Sequence, residues 1–256
     1  MRRALLAIAV IAALALLAIG STSAAPRGPN ATIKVLAAAS LTDVFPKIDN
    51  SPQYSFAGSD ALAAQIRLGA PADVFASANT TLPNSLYAQG LVEKPVVFTT
   101  NKLVLVVPKS NPAGIKTVFD LKKKGIKLIV GTPTVPIGSY TRTILRNLAL
   151  TSVLSNVVSQ ETDVRSILSK VALGEADAGF VYITDARTVP AQVNVITLPA
   201  WAQPPVRYGI AVIKSTSSRA DAVAFINKVL SKAGQARLRA AGFGAVKNGA
   251  TSYTGG

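Results

Sequence analysis

The 256-residue sequence contains no cysteine and no histidine. Disulfide bonds, Cys or His zinc ligands, cysteine nucleophiles and Ser-His-Asp triads are therefore excluded. Acidic residues are also scarce, with 12 Asp and Glu against 27 Lys and Arg, for a formal charge of +15. Asp43, Asp60, Asp73 and Asp177 are scattered and lack the spacing of a calcium loop. The sequence carries no phosphate-cradling GxxxxGK(S/T) motif, no GxSxG elbow and no serine followed three residues later by lysine. No catalytic residue emerges, no cofactor motif appears, and a binding function is favoured over an enzyme. The excess of positive charge points to an anionic partner: a ligand, a lipid surface or nucleic acid.

What is present begins with "MRR", then "ALLAIAVIAALALLAIG", then "STSAAP". A basic start, an apolar run and small residues form a secretory signal, residues 1–24, with cleavage expected after Ala24. The apolar run, residues 4–19, is short for a membrane span of about 20 residues, so an uncleaved anchor is the lesser reading. A lipid anchor would need a cysteine at the cut. Export leaves +15 less Arg2 and Arg3, or +13. It also argues against nucleic acid as the partner and places the protein in the periplasm or at the cell surface.

The remainder alternates strands with helices. "TIKVLAAA" is a short apolar run of the kind buried on both faces of a parallel sheet. "YSFAG", "ADVFASA", "NKLVLVVPK", "KLIVG", "DAGFVY" and "YGIAVIK" read as further strands. Helices are expected over "SLTDVFPKI", "SDALAAQIRLG", "TRTILRNLAL", "TDVRSILSKVALG" and "SRADAVAFINKVLSKAG". The second of these should end at Gly69 and the fourth at Gly174. The pattern predicts an α/β fold with mostly parallel sheets. Two strands with turn-rich flanks, near residues 104 and 208, could each cross between lobes. One lobe would then hold residues 31–103 plus 206–256 and the other residues 104–205, a clamp suited to ligand capture.

Two serines stand out. Ser40 and Ser59 each follow a strand and begin a helix. Either could be a plain helix N-cap, and "SLTD" has the spacing of a capping box, with Asp43 in the third helical position. Strand-to-helix turns of α/β sheets are also where ligands bind, and helix N-termini attract anions. Pro133 and Pro136 mark a loop, Val164 reads as a first-turn core residue after Thr162 or Asp163 as cap, and Tyr182 as a core or rim aromatic. The lysines at 122–124 read as a solvated face.

The pieces "AAASLTDVF", "FAGSDALAAQI", "GAPADVFASA", "VPIGSYTR", "ETDVRSIL", "GEADAGFVYITDA" and "AAGF", in this order, resemble the molybdate-binding proteins of ATP-driven (ABC) transporters. The resemblance implies a two-lobed periplasmic-binding-protein fold (type II) with a two-strand hinge, holding a tetrahedral oxyanion between its lobes. It implies hydroxyl and backbone N–H donors at Ser40 and Ser59, backbone N–H donors at Ile137 and Val164, and a phenol donor at Tyr182. The family often has alanine at the position of Ile137, which leaves an N–H contact unchanged. Molybdate or tungstate is the implied ligand, with no cation and no cofactor. A permease and an ATPase are the implied partners of a monomer. Sulfate, phosphate or a small organic anion is the alternative ligand.

Overall fold

The computed structural model describes residues 32–247 and 249–255; the expected signal segment lies outside the described residues. Ten strands build two five-stranded sheets. They are β1 (Lys34–Ala38), β2 (Gln53–Ala57), β3 (Val74–Ser77), β4 (Val96–Asn101), β5 (Leu103–Pro108), β6 (Leu128–Gly131), β7 (Val157–Glu161), β8 (Ala178–Tyr182), β9 (Val193–Thr197) and β10 (Val206–Val212). The first sheet has the order β2-β1-β3-β10-β4 and the second β7-β6-β8-β5-β9. The helices are α1 (Phe45–Ile48), α2 (Ser59–Arg67), α3 (Thr81–Ala88), α4 (Pro136–Asn147), α5 (Val164–Ala172), α6 (Ile183–Ala186), α7 (Arg219–Leu230) and α8 (Lys232–Ala240).

The expected parallel core is present in each sheet as a triplet: β2-β1-β3 in one and β7-β6-β8 in the other. Beside each triplet lies a strand adjoining a chain crossing, β10 or β5, which runs antiparallel to both its neighbours, so each sheet is mixed. The apolar runs explain the central strands. Every residue of β5 and β8 is buried, as is all of β1 after Lys34. The chain passes from the first sheet to the second through Lys102 alone and returns over residues 198–205. The return carries the sequence's one tryptophan, Trp201, largely exposed in the short turn Ala200–Ala202.

Helix ends follow local chemistry. Gly69 and Gly174 sit at positive φ just past α2 and α5, where the left-handed conformation favours glycine. The N–H of Gly174 reaches Val171 O and that of Glu175 reaches Lys170 O, closing α5 as a Schellman motif. On α5, Val164, Ile167, Leu168 and Val171 are buried at helical spacing.

Three expectations are corrected. "SLTDVFPKI" is not one helix: a 3-10 turn, Ala39–Leu41, precedes α1. The helix expected at "TRTILRNLAL" begins earlier, at Pro136, because proline's fixed φ and missing N–H suit the first helical position. The long final helix is broken at Ser231, whose extended backbone separates α7 from α8 and whose hydroxyl accepts the Gly234 N–H as cap of α8. Lys122, Lys123 and Lys124 are exposed, as a solvated face requires.

Candidate functional site

Each of the five sequence-predicted positions lies at the carboxyl end of a parallel-triplet strand, or just after the turn that follows one. Ser40 follows β1, Ser59 follows β2, Ile137 follows β6, Val164 follows β7, and Tyr182 ends β8. All five line one small cavity between the two sheets. Ser40, Ser59, Ile137, Val164 and Tyr182 are each buried. The N-termini of α2, α4 and α5 open onto it, the first from one sheet and the other two from the second. Ile137 is the second residue of α4 and Val164 the first of α5, so neither backbone N–H has an acceptor within its helix. These ends bring partial positive charge to the cavity without any cationic side chain.

The serines are not caps. The N-cap positions beside them are Ala38 and Gly58, and neither serine accepts a capping bond. The Ser59 hydroxyl accepts the backbone N–H of Ala78 at 3.0 Å, which leaves its own hydrogen to donate. The Ser40 hydroxyl lies 2.9 Å from the Tyr208 hydroxyl. The SLTD capping box is therefore absent, because the turn starts two residues too early and the hydroxyl is engaged elsewhere. A capping role does exist at α5, where the Asp163 carboxylate accepts the N–H groups of Arg165 (2.7 Å) and Ser166 (3.0 Å) and the Ser166 hydroxyl (2.8 Å). Asp163 borders the cavity, yet its oxygens serve its own helix.

Tyr182 is the telling side chain. Its hydroxyl is buried and has no hydrogen-bond partner among the described residues. Burial, reinforced by the neighbouring Tyr208, holds its pKa well above the ordinary phenol value, so it stays protonated as a donor. Buried polar groups are normally paired, and an unpaired one calls for an explanation. A tetrahedral oxyanion is an acceptor at every oxygen and fits a cavity lined by two hydroxyls, a phenol and helix-end N–H groups.

Contacts between the two sides of the cavity were not foreseeable from spacing. Thr134 Oγ1 donates to Asp60 Oδ2 at 2.6 Å, joining the loop before α4 to α2. Arg165 of α5 reaches across to Asp43, beyond the 3-10 turn, and pairs on its own side with the buried Asp185 at 2.6 Å. Burial pushes the Asp185 carboxyl up to about 6, against the pull of Arg165. Gly58 lies so close to Thr162 that a Cβ there would stand 2.1 Å from the Thr162 carbonyl oxygen. No signal short of the three-dimensional arrangement could have paired these residues.

A family model for bacterial extracellular solute-binding proteins matches residues 33–244. The chain is 40% identical to the molybdate-binding protein ModA of Mycobacterium tuberculosis over 243 residues, covering 89% of this chain and 92% of that one. It is 32% identical to ModA of Haemophilus influenzae, covering 84% and 91%. Among solved structures, the periplasmic molybdate-binding protein of Azotobacter vinelandii superposes with a TM-score of 0.74 at 25% identity, over 84% of this chain and all of that one. The sulfate-binding protein SubI of Mycobacterium tuberculosis superposes at 0.70 with 19% identity, over 84% and 87%, a likeness of fold.

Proposed function

Since the chain belongs to the bacterial extracellular solute-binding protein family, we propose that it captures molybdate, and equally tungstate, between two lobes and delivers it to an ATP-driven importer. The lobes are residues 31–103 with 206–256, and residues 104–205, hinged at the two chain crossings. Residues 1–24 direct export, and the protein acts outside the cytoplasmic membrane as a monomer, with a permease and an ATPase as its partners. It binds and releases its cargo without chemical change.

The observation that supports this reading is the convergence of Ser40, Ser59, Ile137, Val164 and Tyr182 on one cavity, with the Tyr182 phenol unpaired among the described residues. The proposed contacts are hydroxyl and N–H groups that donate. A buried dianion can be held by such donors and by aligned helix ends without a compensating cation. Hydrogen phosphate carries a proton that needs an acceptor, and the Asp163 carboxylate at the rim is already engaged by its helix. Stranding a buried polar group costs about 1–3 kcal/mol. Sulfate is smaller than molybdate and cannot reach all the donors at once. Molybdate and tungstate share charge and nearly share size, so a fixed ring of donors treats them alike.

Titration calorimetry with molybdate, tungstate, sulfate and phosphate tests the assignment. Molybdate and tungstate are expected to bind far more tightly than the other two, with little change between low and physiological sodium chloride because buried interactions are weakly screened. Sulfate binding as tight as molybdate would remove the assignment. A steep loss of affinity with salt would transfer the binding to the basic surface.

A further inference from the structure

One polar chain behind the cavity has a direction that can be deduced. Asn101 ends β4, immediately before the crossing at Lys102, and its Oδ1 accepts the Lys102 backbone N–H at 2.9 Å. A backbone N–H can only donate, so this bond fixes which end of the amide is oxygen. The Asn101 Nδ2 therefore faces Thr184 Oγ1 at 2.9 Å and the Tyr208 hydroxyl at 3.2 Å, and donates to both. Tyr208 lies on β10, just after the return crossing. Its oxygen accepts from Asn101, and Ser40 Oγ at 2.9 Å is the acceptor within reach of its proton among the described residues; donation the other way would strand the Tyr208 proton away from the cavity, which Ser40 lines and Tyr208 does not. Ser40 Oγ then accepts, and its own hydrogen has no acceptor among the described residues. All four side chains are buried, and burial holds the Tyr208 phenol protonated.

We propose that Asn101 and Tyr208 are positioning residues: they order the protons along Asn101, Tyr208 and Ser40 so that Ser40 meets the anion as a donor. The proposal rests on reading the cavity as an oxyanion site. An unordered serine hydroxyl presents lone pairs or hydrogen with equal ease, and lone pairs repel an anion. Ordering removes that freedom before the anion arrives, and successive hydrogen bonds polarise one another. Because Asn101 and Tyr208 adjoin the two crossings, the ordered state also depends on the crossings being correctly set.

The test is a double-mutant cycle read by molybdate calorimetry on the mature protein. Tyr208→Phe keeps the ring and its edge contacts to Phe98 and Phe243. It is expected to weaken molybdate binding about tenfold alone, and less than about twofold in a Ser40→Ala background. Asn101→Asp replaces the donor facing Tyr208 by an acceptor, turns the relay round, and should weaken binding more than Tyr208→Phe. That excess over Tyr208→Phe should shrink in the Ser40→Ala background, whereas plain charge repulsion would persist there. The same loss from Tyr208→Phe in both backgrounds, or none in either, overturns the relay. If the unmutated protein takes none of the four oxyanions, the functional reading falls instead. The relay is then judged by melting, where coupled effects of Tyr208→Phe and Ser40→Ala support it and additive ones overturn it.

Discussion

Tyr182→Phe is expected to raise the melting temperature of the protein measured without anion while weakening molybdate binding about 10- to 150-fold. The two effects come from one atom. The Tyr182 hydroxyl is buried with no partner among the described residues, and such a group costs about 1–3 kcal/mol. Phenylalanine removes that cost and keeps the ring against Tyr208, with centroids 5.8 Å apart. A hydrogen bond to a charged partner contributes about 1.5–3 kcal/mol, and about 1.4 kcal/mol is tenfold in affinity. Ser59→Ala should lose affinity by a similar factor but move melting the other way, because it strands the Ala78 N–H that Ser59 Oγ now accepts. Differential scanning calorimetry and titration of both variants decide the matter. If Tyr182→Phe melts lower and binds normally, Tyr182 is a core aromatic and the site lies elsewhere.

Gly58→Ala is expected to cost about 5- to 150-fold in molybdate affinity and to lower the melting temperature of the anion-free protein, because the two sides meet at this point. The backbone at Gly58, with φ −58 and ψ 135, suits alanine as well as glycine, so the first lobe accepts the methyl. What does not accept it is the opposite side, where the Thr162 carbonyl oxygen would lie 2.1 Å from the new Cβ. A backbone oxygen cannot swing aside as a flexible side chain would. The two sides must separate, which also strains the Asp60–Thr134 and Asp43–Arg165 contacts. Overpacking a close contact costs roughly 1–3 kcal/mol. Calorimetry gives the affinity, and small-angle X-ray scattering with and without molybdate shows whether compaction is lost. Normal affinity would mean that this approach plays no part in holding the anion.

Much of the fold could be read from local pattern. Apolar runs such as "KLVLVVPK" are buried, and glycines after helical stretches mark their ends, because these signals depend on residues close in sequence. The convergence of Ser40 and Ser59 was legible for the same reason: both follow β-strands of one parallel triplet, whose carboxyl ends must lie side by side. The capping reading of Ser40 failed because its hydroxyl is engaged by Tyr208, 168 positions away. The start of α4 at Pro136 was missed because two prolines close together read as a loop, although one of them stands where a helix best tolerates it. Asp43 and Arg165 meet only because two sheets face each other, and no spacing along the chain encodes that.

The place of Trp201 has a spectroscopic consequence. Indole emission from this protein has one source, and that source sits on the return crossing between the sheets, outside the set of residues that line the cavity. An emission change on adding an anion therefore reports a change of surroundings at the crossing rather than contact with the anion itself. Stopped-flow recording of that emission, set beside calorimetry, separates the rate at which the crossing moves from the affinity of the cage. No dye and no engineered cysteine are needed, and the natural absence of cysteine leaves the crossing free for a single-site label should a second distance be wanted.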